Sequence, residues 1–312
     1  MEEIWAFLQG DEETRQARRA FSRAGWALAA LMVLQVAVQY PVLALVERMA
    51  PSWLAYSGVS FVIAALASYG AAFPAALLIL RTLPGEGPGK LRDLSGQTLG
   101  VLWLVSLGWL YMANLVTLTL VGALETARGA PIFNPVEQMA DQPVVLNLLL
   151  GCVLAPAAEE LLFRRTLMDR LRPWGEGFAL VVSALAFALV HGNLYQMLYA
   201  FSVGLVFGGG YLHTGRVRYT MLLHAGVNAV SAGLAPVARL LGQGADVCLS
   251  LLVLGSMICA FQWTLHNRDV LDEAARRAGW GDGETWGQLV VNPGMTGFCL
   301  TVIAAIWLSM YR

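Results

Sequence analysis

The stretch PVVLNLLLGCVLAPAAEELLF (143–163) decides the fold. It carries no charged residue until two glutamates, Glu159 and Glu160, stand side by side near its end. About 20 apolar residues are enough for a helix to cross about 30 Å of hydrocarbon. Eight other segments qualify or come close: 24–46, 54–80, 97–123, 177–191, 194–212, 219–237, 247–265 and 294–310. Of these, 177–191 is short, and 294–310 is set apart by a polar stretch rich in glycine and acidic residues. A spanning helix satisfies its own backbone polar groups, so the pattern predicts an all-α fold. The expected architecture is a polytopic transmembrane helical bundle of eight to nine spans. No internal repeat or separate soluble domain is visible, so residues 1–312 read as a single integral membrane domain.

Composition agrees. The chain is 57% hydrophobic and 13% charged, with a mean hydropathy of +0.61, against about a quarter charged in an ordinary soluble domain. A net charge of −1 offers no basic field to attract nucleic acid. Cys152, Cys248, Cys259 and Cys299 lie in apolar runs without the spacing of a zinc or redox motif, and are expected to be buried reduced thiols. The first apolar run is too long for a cleavable signal and is expected to remain as an anchor.

Basic residues alternate between loops. Arg15, Arg18, Arg19 and Arg23 precede the first segment; Arg81, Lys90 and Arg92 follow the second; Arg164, Arg165, Arg170 and Arg172 follow the fourth. Arg216 and Arg218 follow the sixth, and Arg268, Arg276 and Arg277 the eighth, whereas Arg48, Arg128 and Arg239 stand alone in the intervening loops. With nine spans, the positive-inside rule predicts a cell-membrane protein with a cytoplasmic N terminus and an external C terminus. The 266–293 loop is read as a solvated surface that includes a short helix, with His266 solvated at its start and His213 interfacial. Trp53, Trp103 and Tyr219 are expected as interfacial anchors. Gly204 and Gly208-Gly209-Gly210 read as a small-residue face for close helix approach.

In lipid the informative residues are those that are costly to place there. A charge at mid-bilayer costs at least about 2.5–3.5 kcal/mol. Glu159 and Glu160, His191 and His224 are the exceptions within the nine segments, and one shared cluster is their most economical arrangement. Glu160 and Arg164 are four apart and can pair along one helix face, which leaves Glu159 pointing elsewhere. His224 and Asn228 repeat that spacing, as do Phe187 and His191, whose rings can pack together.

These residues stand in three ordered motifs: Glu159-Glu160-Leu161-Leu162-Phe163-Arg164, Phe187-Ala188-Leu189-Val190-His191 and His224-Ala225-Gly226-Val227-Asn228. Their types and order resemble the Glu-Glu-x-x-x-Arg, Phe-x-x-x-His and His-x-x-x-Asn motifs of the CPBP family, the CAAX proteases and bacteriocin-processing enzymes also called Abi. The resemblance covers a core of about 140–235. It implies about eight transmembrane helices around a conical, cytoplasm-facing cavity, and endopeptidase activity on a membrane-associated protein or peptide. It also implies that Glu159 is the catalytic glutamate and His191 its partner, with His224 and Asn228 completing the site.

The chemistry fits such residues. A glutamate beside a histidine can take a proton from water and return it to a leaving amine. His224 and Asn228 offer N–H donors for an oxyanion, and Arg164, paired with Glu160, steadies the helix. Glu159, His191 and His224 are also a plausible zinc ligand set, but the chain has no His-Glu-x-x-His helix, and a metal-free site is favoured. Two other readings stay open: a non-catalytic immunity or scaffolding protein, and a transporter or proton channel. Substrate and oligomeric state are not legible. One inconsistency stands out. If segment five crosses fully, His191 at its far end lies deeper than Glu159 and His224.

Overall fold

The computed structural model describes residues 12–89 and 91–311; Lys90, part of the loop-charge pattern, lies outside them. The long helix α1 (Glu12–Met49) carries Pro41 within it. It is followed by α2 (Gly58–Arg81) and α3 (Gly96–Arg128). A short α4 (Pro135–Ala140) leads into α5 (Val144–Trp174), α6 (Glu176–Leu189) and α7 (Leu194–Thr214). Then come α8 (Val217–Leu241) and α9 (Gln243–His266), two surface helices, α10 (Arg268–Arg277) and α11 (Gly283–Val290), and α12 (Pro293–Met310). No strand occurs among the described residues.

All nine apolar segments are helical, and the chain is a multi-pass, all-α membrane bundle. Among the described residues, seven helices are long and apolar enough to cross a membrane: α1, α2, α3, α5, α8, α9 and α12. The other two form a hairpin. With 14 residues, α6 is about 21 Å long, well short of the hydrocarbon thickness. The chain then reverses at Gly192, whose φ of +62° suits a residue without a Cβ. A Cβ there would stand 2.9 Å from Ala305 Cβ and 3.4 Å from Met32 Cε. The tip of the hairpin therefore lies beside the interior of α1 and α12. This removes the depth inconsistency: His191 sits inside the bundle because the hairpin stops there.

The arginine-rich ends gather on one face. Phe21 of α1 packs on Trp174 with ring centroids 4.6 Å apart. Arg172 donates to Gly87 O, the Arg92 amide to Thr214 O, and the Gly177 amide to Ala278 O. Tyr219 donates to Asp93 at 2.8 Å. That hydrogen bond, aided by Arg216 and Arg218, holds the Asp93 carboxyl below its usual range. Tyr219 is thus a buried tether for the 82–95 loop rather than a simple interfacial anchor. Trp103 also differs from its expected role, since its indole packs directly over Gly226 of α8. Trp53 is exposed, as an anchor would be.

Close packing depends on small residues. A Cβ at Gly25 would overlap the backbone of Gly294, and one at Gly294 would overlap Ser22 O, so α1 and α12 meet backbone to backbone. On α7, Gly204 faces Ala184 and Gly208 faces Leu180 of α6, while Gly209 and Gly210 face open space. The four cysteines are free, but only Cys152 is buried. Cys248 and Cys299 lie on the outer surface of the bundle, because an apolar run in a membrane helix need not face the protein core. Gly294→Val should force α1 and α12 apart at a cost of about 1–3 kcal/mol, read as a lower unfolding midpoint in detergent. An unchanged midpoint would contradict the close approach.

Candidate active site

The three motifs meet in one cavity of about 510 Å³. Its lining includes Glu159 from α5, Phe187 and His191 from the hairpin, and His224 and Asn228 from α8. Helix α5 supplies both glutamates from an α-helical turn between two π-helical stretches, Asn147–Leu154 and Leu161–Met168. Adjacent residues on a helix diverge by about 100°, so the two carboxylates take different environments.

Glu160 is fully buried. Its Oε2 stands 3.1 Å from Arg164 Nε, and its Oε1 accepts from His224 Nδ1 at 2.9 Å. Arg164 is also fully buried, with its guanidinium 4.5 Å from the centroid of the Phe187 ring and 5.7 Å from that of Phe207. Arg164 thus neutralises Glu160, and the aromatic faces take up the remainder of its charge. A buried carboxylate of this kind fixes both the tautomer and the tilt of the imidazole it binds. With Nδ1 committed to Glu160, His224 turns Nε2 towards Glu159 Oε2, 3.8 Å away.

Glu159 is the carboxylate left to the cavity, with 15% of its side chain accessible. It accepts a hydrogen bond from the Tyr69 hydroxyl at 3.2 Å. His191 is oriented by its own helix: Nδ1 lies 2.7 Å from Phe187 O. A carbonyl only accepts, so Nδ1 carries the proton, and Nε2 of the neutral ring keeps a free lone pair. The Phe187 ring meets the imidazoles of His191 and His224 edge-on, with centroids 5.1 and 5.7 Å apart.

Asn228 has a role that motif spacing did not show. Its Nδ2 donates to Gly151 O on α5 at 2.8 Å. Within the π-helical stretch the Ala155 amide donates to Leu150 O, which shifts the ladder by one residue. The next donor in that register belongs to Pro156, which has no N–H. Gly151 O is therefore left to a side chain, and Asn228 ties α8 to α5 at the site. One amide N–H of Asn228 remains for other partners.

Among the expected residues, then, Glu159, Phe187, His191, His224 and Asn228 share the cavity, while Glu160 and Arg164 lie behind it. Sequence reasoning missed Tyr69, Asn114, Gln35 and Gln196, which also line it. Ionisable groups stand out in apolar segments, whereas neutral polar ones do not. Tyr69 lies in another π-helical stretch, Leu66–Ala72, and such insertions often mark functional sites. Among the described residues, no three His, Cys, Asp or Glu side chains converge as a metal-binding group.

A carboxylate and two oriented imidazoles thus line one cavity of a polytopic membrane protein. The chain matches the family "Type II CAAX prenyl endopeptidase Rce1-like" over residues 141–230. It is also 27% identical over 184 residues to "Putative membrane peptidase YdiL" of Bacillus subtilis (strain 168), covering 56% of this chain and 73% of that protein. No solved structure matches it. Both matches support the CPBP family read from the three motifs, and at family level they support a membrane protease.

Arg164→Met should be strongly destabilising, by about 3–5 kcal/mol, because it leaves Glu160 buried without its cation. Adding Glu160→Leu should recover much of that loss. Denaturant unfolding in detergent measures both; a single variant as stable as the parent would refute the pairing.

Proposed function

We propose that the chain is an intramembrane endopeptidase that hydrolyses a peptide bond of a membrane-associated protein or peptide. The observation carrying this reading is the division of labour between adjacent glutamates. Glu160 is consumed by Arg164 and His224, while Glu159 faces the cavity with His224 and Tyr69 beside it. Glu159 takes a proton from water as the water oxygen attacks the scissile carbonyl. The lone pair of His191 Nε2 holds or accepts the second proton of that water. The tetrahedral oxyanion receives N–H donation from the free amide hydrogen of Asn228 and from His224 Nε2 in its protonated form. As the C–N bond breaks, Glu159 returns its proton to the leaving amine.

Burial does the rest. A water held among apolar walls meets few competing dipoles, so each placed hydrogen bond is stronger than it would be in solution. A non-catalytic scaffold has no need for a second, uncompensated carboxylate beside two oriented imidazoles.

Terminal proteomics on membranes expressing the parent or Glu159→Gln tests the reading. The parent should generate a new terminus on a membrane-anchored protein that the variant does not, at equal abundance of the two chains. Identical termini in the two samples would end the assignment. His191→Ala should lower cleavage by about 10²–10⁴-fold, the usual worth of a general acid–base group. Chelators should leave cleavage unchanged, and loss of activity restored by zinc would overturn the metal-free mechanism.

A further inference from the structure

Three helices around the cavity break register in the same way. In α2 the Phe73 amide donates to Ser68 O, five residues back, at the end of the π-helical stretch Leu66–Ala72. In α8 the Ala235 amide donates to Val230 O, at the end of Ala229–Leu234. Both repeat the step in α5, where the Ala155 amide donates to Leu150 O. In each case the next residue is a proline: Pro74, Pro236 or Pro156. The carbonyl after the shifted acceptor therefore loses both helical donors. The amide that would serve it in an α-helix bonds the carbonyl before it. The one that would serve it in a π-helix belongs to a proline, which has no N–H. The carbonyls so freed are those of Tyr69, Ser231 and Gly151, and all three residues line the cavity.

Two of the four π-helical stretches among the described residues are satisfied by side chains. Asn228 Nδ2 donates to Gly151 O at 2.8 Å, and in Leu161–Met168 the Thr166 hydroxyl donates to Leu161 O at 2.8 Å. Among the described residues, Tyr69 O and Ser231 O have no such donor. The Tyr69 hydroxyl is turned to Glu159, and the Ser231 hydroxyl donates to Asn228 O.

We infer that Tyr69 O and Ser231 O accept the backbone N–H groups of the substrate, which is bound as an extended peptide segment. The inference rests on the peptidase reading for its ligand and names how that ligand is held. A carbonyl without a donor is tolerated in a membrane helix only against protein or a polar cavity, and leaving it unpaired is costly. A ligand that brings N–H groups supplies what α2 and α8 lack. An extended peptide presents such groups on alternating sides, whereas an α-helix has spent its own on itself. The two acceptors also flank the reacting centre. Tyr69 reaches Glu159 through its hydroxyl at 3.2 Å, and α8 brings His224 Nε2 to 3.8 Å from the same carboxylate. A peptide held by both helices is therefore held beside Glu159. Main-chain pairing of this kind supplies affinity and sets the path of the backbone, leaving residue preference to the apolar wall.

Proline replacement in the full chain tests the inference, because alanine returns the missing N–H. Pro74 is the cleaner probe, since it is exposed and stands outside the cavity lining. Pro74→Ala and Pro236→Ala should each lower the new terminus in the proteomic comparison by about tenfold, at equal abundance. Neither should lower the unfolding midpoint in detergent, because each gives an orphaned carbonyl a partner. Pro41→Ala removes an exposed proline from α1 and should leave cleavage unchanged. With a synthetic peptide spanning the cut bond, N-methylation of one residue should slow cleavage by about tenfold in the parent and no further in Pro74→Ala. Undiminished cleavage in both proline variants, a lowered midpoint, or the same N-methylation loss in parent and variants would overturn the inference. A parent that yields no new terminus is a different result: it refutes the peptidase reading, and the bound substrate with it.

Discussion

The site depends on one buried chain of charge: Arg164 to Glu160 to His224. Three ionisable side chains within the membrane would each be costly alone. Joined at 3.1 and 2.9 Å, they offset one another, and they can do so only where α5 and α8 touch. The price of burying Arg164 is shared with the faces of Phe187 and Phe207, which brings the α6–α7 hairpin to the same point. A single electrostatic requirement thus fixes the mutual position of the elements that carry the three motifs. Of the two adjacent glutamates, Glu159 is the one left free to face the cavity.

The backbone is adapted to the same end. Pro156 and the π-helical turn before it leave Gly151 O without a helical donor, and Asn228 satisfies it from α8. Ser183 of α6 donates to Phe163 O at 2.8 Å, beside the second π-helical stretch. In lipid an unsatisfied carbonyl has no water to turn to, so each irregularity in α5 demands a neighbour. Those demands hold the helices around the cavity, and the hairpin that ends at Gly192 brings His191 to the depth of Glu159.

Much of this was legible in the sequence, for identifiable reasons. Apolar length set the helices, and each segment from 24–46 to 294–310 falls in one. The i, i+4 spacing of Glu160 with Arg164 and of Phe187 with His191 foretold contacts that helix geometry makes unavoidable. What the sequence could not show was tertiary. Segment five was already short for a crossing, but only the packing of Gly192 on Ala305 and Met32 reveals a hairpin that stops inside. Asn228 was read as a donor to an oxyanion, because nothing in a one-dimensional pattern marks Gly151 O as orphaned. Tyr69 escaped notice because a phenol in an apolar helix is unremarkable until its hydroxyl is seen beside Glu159. Cysteines in apolar runs read as buried, whereas lipid-facing positions are equally apolar.

The central claim is that Glu159 and His191 act on one water in a shared cavity. An experimental structure in a lipid nanodisc, at a resolution that shows ordered water, tests it most directly. The account predicts a water within about 2.6–3.2 Å of both the Glu159 carboxylate and His191 Nε2. A dry cavity, a metal ion in that position, or imidazoles turned away from Glu159 would contradict it.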